Sequence, residues 1–258
     1  MTELKKSIKS LLDKGSRLDG RKFDEYREIS IETDISANAE GSARVRIGDT
    51  EVLAGVKMEL STPYPDTPED GGLMINVELL TMSSPEFEKG PPGDQAIEIA
   101  RVTDRVLRES KIIDTKKLCL IPGEKVWTVI VDIVTINDGG NLFDASSIAA
   151  AAAIKNAVFP EVEDGKVNYK KRTDKKIPVD GDLPINVTLL KIGEHVIVDP
   201  TSKEDLCYDA RLSVGVRPDG KYCSMQKGGD EAITLEDLDL MLDLAKDKAL
   251  ELMKYLWG

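Results

Sequence analysis

Residues Val126 to Ala157 read VWTVIVDIVTINDGGNLFDASSIAAAAAIKNA, and the change of pattern within them decides the fold class. Val126–Ile136 is so continuously apolar and β-branched that it predicts a strand buried on both faces. Gly139-Gly140 ends it. The alanine-rich run from Ser146 to Ala157 then predicts a helix set close against its neighbours, because alanine joins high helical propensity to a side chain small enough for near approach.

Toward the amino terminus, residues 1–15 predict a short helix ending at Gly15, followed by a turn over Ser16-Arg17-Leu18-Asp19-Gly20-Arg21. Ala43, Val45 and Ile47 alternate with Arg44 and Arg46, Gly48-Asp49 supplies a turn, and Thr50 to Leu60 returns as the second strand of a hairpin. The Pro-rich stretch Thr62 to Pro68 is a loop. A strand is expected over Leu73–Met82, then a loop holding Pro85, Gly90, Pro91, Pro92 and Gly93. A helix follows from Asp94 to Ser110, its buried side assigned to Ile97, Ala100, Val102, Val106 and Leu107. Leu118–Ile121 pairs with the strand that begins at Val126.

Toward the carboxy terminus, Glu161 to Lys176 is charged and poor in apolar residues, which predicts a surface connection. The chain is thus divided into a first half (1–160), a charged connection (161–180) and a second half (181–258). Pro184–Ile192, His195–Asp199, Asp209–Arg217 and Lys221–Gln226 are expected strands. A long amphipathic helix, Leu235 to Tyr255, closes the chain, with Thr234 as N-cap and Asp237 in the capping-box position. Strands clustered before each long helix argue for an α+β fold, mixed sheets packed with helices, over a doubly wound one. No Gly-x-Gly-x-x-Gly or P-loop contradicts this.

The composition narrows the function. With 258 residues the chain can bury a core that needs no staple. Three cysteines without Cys-x-x-Cys spacing and a single histidine, His195, give no support to a zinc site or a disulfide framework, so neither metal nor cofactor is expected and the thiols are read as reduced in a cytoplasm. The amino terminus lacks a signal-peptide core, and no stretch approaches a membrane span. The net charge of −12 repels a phosphate backbone as a whole. Contact with RNA would therefore need a local basic patch, which is feasible because screening at physiological salt has a length of about 8 Å.

Arg17-Leu18-Asp19-Gly20-Arg21, Asn38-Ala39-Glu40-Gly41-Ser42-Ala43, Gly90-Pro91-Pro92-Gly93, Ala100-Arg101-Val102-Thr103-Asp104-Arg105, Pro122-Gly123-Glu124-Lys125-Val126-Trp127 and Asn137-Asp138-Gly139-Gly140-Asn141-Leu142-Phe143-Asp144-Ala145 occur in an order that resembles the RNase PH family over nearly the whole chain. Within it the resemblance is to the non-catalytic ring subunits of the archaeal exosome. It implies an RNase PH fold, like domain 2 of ribosomal protein S5, and a hexameric ring built from heterodimers with a catalytic RNase PH-type subunit, three copies of each, under RNA-binding cap subunits. Catalytic members degrade single-stranded RNA from the 3′ end, inorganic phosphate attacking the terminal linkage. Such chemistry needs a phosphate held by arginines and a helix N-terminus, with carboxylates nearby for a metal or a proton.

Active relatives carry an Arg-Arg pair just before the helix that here begins near Asp94, and a Ser-Arg pair after the segment that here is Asp138-Gly139-Gly140. In this chain the pairs fall on Asp94 and Gln95, and on Asn141 and Leu142. The cations are gone and Asp94 adds repulsion, which makes the phosphate site degenerate and the subunit non-catalytic. Asp199 and Asp205 keep a spacing similar to the acidic pair of active relatives. The plainer reading has Asp199 capping a turn before Pro200, with Glu204 and Asp205 solvated.

Arg101, Arg105 and Arg108 recur at i, i+4 and i+7 on one helix face. Glu98, Asp104 and Glu109 are near enough to make it an ordinary salt-bridged surface. The resemblance instead implies that Arg101 and Arg105 face the ring's channel and contact RNA phosphates. The run Lys170-Lys171-Arg172 with Lys175-Lys176 reads as an exposed loop. An active phosphate-dependent exoribonuclease is the rival to a non-catalytic RNA-contacting subunit. A free-standing RNA-binding module fits the acidic charge and the 5% aromatic content poorly.

Overall fold

In the computed structural model, which describes residues 2–163 and 166–257, the apolar run forms β6 (Lys125–Asn137) near the middle of the larger sheet. β3 (Thr50–Ser61) pairs with it antiparallel on one side and β4 (Gly72–Glu78) parallel on the other. The full order is β1 (Ile29–Thr33), β2 (Gly41–Ile47), β3, β6, β4, with the short β5 (Cys119–Ile121) against the start of β6. The hairpin of β2 and β3 turns at Gly48, whose φ of 55° suits glycine. Ala43, Val45 and Ile47 point into the core, while Arg44 and Arg46 pair with Glu32 and Glu51 on the other face.

β6 is buried on one face rather than both. Val129, Val131 and Ile133 are closed to solvent, but Asp132 is exposed and accepts a hydrogen bond from Asn76 Nδ2 at 2.9 Å. Among the described residues helices cover one side of this sheet, so the uniform apolar run overstated burial. β4 stops at Glu78 instead of Met82, because Ser83 donates from its backbone N–H and its hydroxyl to the Leu80 carbonyl and closes a turn.

The covering helices are α2 (Asp94–Glu109) and α3 (Leu142–Asn156). α3 begins at Leu142, ahead of the alanine run at Ser146, and every residue from Leu142 to Ile154 is buried. Gly41 makes this approach possible, since a Cβ there would collide with the Ala153 carbonyl. On α2 the buried positions are Ala96, Ile99, Val102, Thr103, Val106 and Leu107. Ile97 is 46% exposed, a correction to the expected face, because the stripe through 96, 99, 103 and 106 lies a quarter-turn or more away from it.

The second sheet has the order β10 (His195–Val198), β9 (Ile185–Ile192), β11 (Ala210–Val216), β12 (Tyr222–Gly228). α5 (Leu235–Trp257) packs across it, and its capping box is formed by Asp237 N–H donating to Thr234 Oγ1 at 3.1 Å and Thr234 N–H donating to the Asp237 carboxylate at 3.3 Å. One hydrophobic cluster runs from the larger sheet through α3 into the smaller sheet and α5, so the two halves share a core. α1 (Glu3–Leu12) adds a satellite, its Ile8 and Leu12 resting on Leu190, Ile192 and Ile197.

The charged stretch expected as a connection is a ribbon in large part: β7 (Val158–Glu163) pairs antiparallel with β8 (Lys166–Lys176). Its charges stand in cross-strand ion pairs, Lys171 with Glu163 at 2.8 Å and with Glu161 at 3.6 Å, so they support pairing instead of preventing it. A short helix, α4 (Ser202–Asp205), follows β10. Among the described residues no helix is long and apolar enough to cross a membrane.

Candidate nucleic-acid interface and degenerate phosphate site

α2 carries both the position of the first absent arginine pair and the row of basic residues. Gly93 caps it without a side-chain bond, and Asp94 and Gln95 are exposed in its first turn. An acid there suits the helix dipole but repels an approaching anion. Arg101, Arg105 and Arg108 do share a face, each in different company. Arg108 pairs with Asp104 at 2.7 Å and donates to the Leu73 carbonyl at 2.8 Å. Arg105 is half-buried and donates from Nη1 to Gln226 Oε1 on β12 at 3.1 Å. Arg101 is exposed, without a hydrogen-bond or ion-pair partner among the described residues. Glu98, expected to reach toward this row, pairs instead with Arg211 of β11, which also lies over the Phe143 ring at 4.1 Å. The salt-bridged reading therefore holds for Arg108 only. Arg101 and Arg105 stand between two shallow grooves, one reaching Ile75 of β4 and the other reaching Gln226.

The second absent pair lies at the start of α3. Asn141 is left-handed, with φ 59°, a conformation asparagine tolerates better than most residues. Its backbone N–H donates to Asp205 Oδ2 and its Nδ2 to Asp144 and Asp199, each at 2.9 Å. Leu142 is 3% exposed and belongs to the core. The starts of α2 and α3 are joined through Glu98, Arg211 and Phe143.

The acidic residues are not the solvated turn residues of the plainer reading. Asp199 is fully buried and left-handed, with φ 44°. Its carboxylate accepts from Arg21 Nη1 at 2.8 Å, from Arg27 Nη2 at 2.7 Å and from the Arg27 backbone N–H at 2.8 Å. Burial is the largest single influence and would raise its pKa, yet the charge and hydrogen bonds of Arg27, joined by Asn141, together hold the group below the ordinary carboxylate range. Asp205 is half-buried, and desolvation, reinforced by the charge of Asp138, pushes its carboxyl up to about 7 against the pull of the Asn141 N–H. Glu204 is closed to solvent and forms a two-pronged pair with Arg17, Nε to Oε1 at 3.0 Å and Nη2 to Oε2 at 2.7 Å. Arg17 also donates to the Val198 and Asp199 carbonyls, each at 2.9 Å. The Arg17–Arg21 segment thus locks onto the loop that holds the acids.

Several residues of this network were not marked by the sequence. Asp144 is fully buried, its carboxyl pushed up to about 6 by burial although four donors surround it: Tyr26 Oη, Asn141 Nδ2, Asn186 Nδ2 and the Thr188 backbone N–H. Arg27, Tyr26, Asn186 and Gln226 sit in unremarkable local patterns, and only their partners, distant in sequence, reveal them. Lys170, Lys171, Arg172, Lys175 and Lys176 lie on β8, not in a loop, and part of their charge is spent at home: Arg172 donates to the Ala37 carbonyl at 2.6 Å, and Lys175 lies over the Phe159 ring at 5.4 Å. The described residues bring no three His, Cys, Asp or Glu side chains together as a metal site. Cys119, Cys207 and Cys223 are all free thiols.

Comparison with known proteins adds to this geometry. Residues 25–160 match the 3′ exoribonuclease family, domain 1, and residues 182–248 match domain 2 of the same family. The exosome complex component Rrp42 of Methanothermobacter thermautotrophicus is 43% identical over 254 residues, covering 98% of this chain and 93% of that relative. A chain of the Archaeoglobus fulgidus exosome with RNA bound to the active site superposes with a TM-score of 0.91 at 42% identity, covering 98% of this chain and 97% of that one. A chain of an archaeal exosome core gives a TM-score of 0.87 at 38% identity, with 99% and 96% covered.

Proposed function

The chain belongs to the 3′ exoribonuclease family of RNase PH type, and from that premise we propose that it is a non-catalytic subunit of an archaeal exosome ring in the cytoplasm, which structures a catalytic RNase PH-type partner's active site and holds RNA there during 3′-to-5′ phosphorolysis. The observation that carries the reading is the state of the phosphate site. Phosphorolysis must gather inorganic phosphate and an RNA phosphate, which repel each other, and only fixed cations and oriented N–H groups make that encounter favourable. Here Asp94 and Gln95 open α2, Leu142 is packed into the core, and Asp205 already occupies the Asn141 N–H at the start of α3. Exchanging arginine for aspartate beside a phosphate turns attraction into repulsion.

What remains suited to RNA is the Arg101–Arg105 face of α2, where Arg211 engages Glu98 and Arg108 engages Asp104, which leaves two cations without acidic partners among the described residues on a chain of net charge −12. In a hexameric ring of alternating subunits this face would extend the partner's site, with RNA delivered through the cap subunits. The rival reading, an active exoribonuclease, draws on Asp205, whose carboxyl desolvation pushes up to about 7, a range that suits general acid or base work. Without a phosphate holder it has no nucleophile to act on. The test is RNA decay with and without phosphate, first with the isolated chain and then after co-expression with a catalytic RNase PH-type partner, with the mass of each species measured. The reading requires phosphate-dependent release of nucleoside diphosphates only from the assembled ring. Release by the pure chain would establish the rival.

A further inference from the structure

We propose that Gln226 is a positioning residue for RNA contact: its neutral amide oxygen holds the Arg105 guanidinium on the α2 face without cancelling its charge. The inference rests on the reading of Arg101 and Arg105 as phosphate contacts. The three arginines of this face show three ways to hold a long cation. Arg108 is pinned by Asp104 and thereby neutralised, and Arg101 is left unpinned at full charge. Arg105 is pinned at Nη1 by an uncharged acceptor at 3.1 Å and keeps its remaining donors. A fork with one edge fixed and its other donors unclaimed is pre-organised for a phosphate, because less rotamer freedom is lost when the anion arrives.

Gln226 itself is well placed for this task. Its Nε2 donates to the Lys227 carbonyl at 3.3 Å, which leaves Oε1 turned to Arg105. Its backbone lies on β12, opposite Ser213 of β11, so a residue of the second half orients a side chain of the first. The same β11 supplies Arg211, which engages Glu98 and keeps that acid from claiming Arg101 or Arg105. Asp94 lines the same groove as Gln226.

The choice of an amide over a carboxylate is therefore the testable feature. RNA affinity is measured over a salt series for rings assembled with the catalytic partner, using a labelled single-stranded oligoadenylate. Gln226→Glu turns the contact into an ion pair and should flatten the log–log salt slope by roughly 0.7, the share of one phosphate contact. Gln226→Met keeps the length and loses the acceptor, so it should weaken binding by roughly two- to tenfold, the cost of ordering one long side chain, with the slope intact. Adding Gln226→Met to Arg105→Ala should change nothing further. Wild-type binding by both single variants, in rings whose slope does respond to Arg101→Ala plus Arg105→Ala, would overturn this inference alone. A slope that ignores the arginine pair removes the reading beneath it. Lower melting temperatures with an unaltered slope in Gln226→Glu would reduce the residue to a structural one.

Discussion

Asp205 Oδ2 accepts the backbone N–H of Asn141 at 2.9 Å, so a carboxylate of the chain itself sits at the N-terminus of α3, the kind of place where a helix offers its donors to an anion. The side chain of the same Asn141 reaches a second carboxylate of the opposite character. Asn141 Nδ2 donates to Asp199, which is held ionised by Arg27, while Asp205 is pushed toward its neutral form. Two acids with the spacing of a catalytic pair thus have unlike tasks, one anchoring arginines and the other closing a helix end.

The first prediction concerns pH. An unfolded aspartate titrates near 3.9 and the folded Asp205 at about 7, so between these values the folded state binds the extra proton. Stability must therefore fall as pH rises from about 4 to 7 and stay lower above that. Asp144, raised to about 6, has the same sign. Asp199 has the opposite sign, its contribution being present at neutral pH and lost as pH falls through its depressed pKa. Asp205→Asn should match wild type only below about pH 4 and exceed it increasingly up to about pH 8, by on the order of 1 kcal/mol per unit of pKa shift. Thermal unfolding of both proteins at the two pH values checks this, and parallel stability curves would refute it.

A second prediction separates the two acids in the assembled ring. Asp199→Asn takes from the half-buried Arg27 its carboxylate partner and leaves Arg21 with Asp19 alone, and should cost about 3–5 kcal/mol of stability, seen as impaired folding or assembly. Asp205→Asn keeps an acceptor for the Asn141 N–H and should leave turnover per assembled ring within tenfold of wild type. A larger loss at equal ring mass, more than about 1.4 kcal/mol of barrier, would mean that Asp205 takes part in chemistry.

A third prediction tests the lock between the amino-terminal segment and α4. Arg17→Met or Glu204→Met strands a buried charge and should destabilise by about 3–5 kcal/mol, whereas the double substitution should cost much less than the sum. Denaturant unfolding of the four species completes the cycle. Additive losses would mean that the pair is incidental.

The elements were legible where local pattern and tertiary placement agree: the β2–β3 hairpin, the strands of the second sheet, and α5 with its Thr234–Asp237 cap. Misreadings occurred where burial or pairing came from afar. β6 was apolar enough for two buried faces but received one covering layer, and β8 looked like coil because its cross-strand acids lie on β7. The arginine row was visible from spacing. The company of those residues was not: Gln226 is far in sequence from Arg105, and Arg17 from Glu204, so neither contact leaves a periodic trace. Asp199 and Asp205 resembled turn residues because nothing in their own segment announces Arg21, Arg27 or Asn141.

The central claim, that this subunit holds RNA through α2 and does not act on it, is tested most directly by RNA affinity across a salt series for wild-type rings and for Arg101→Ala plus Arg105→Ala rings of equal mass and melting temperature. Each phosphate contact with single-stranded RNA contributes about 0.7 to the log–log slope, so the double variant should bind more weakly and flatten the slope by roughly 1.4, whatever the RNA sequence. An unchanged slope would contradict the account and return both arginines to an ordinary solvated helix face.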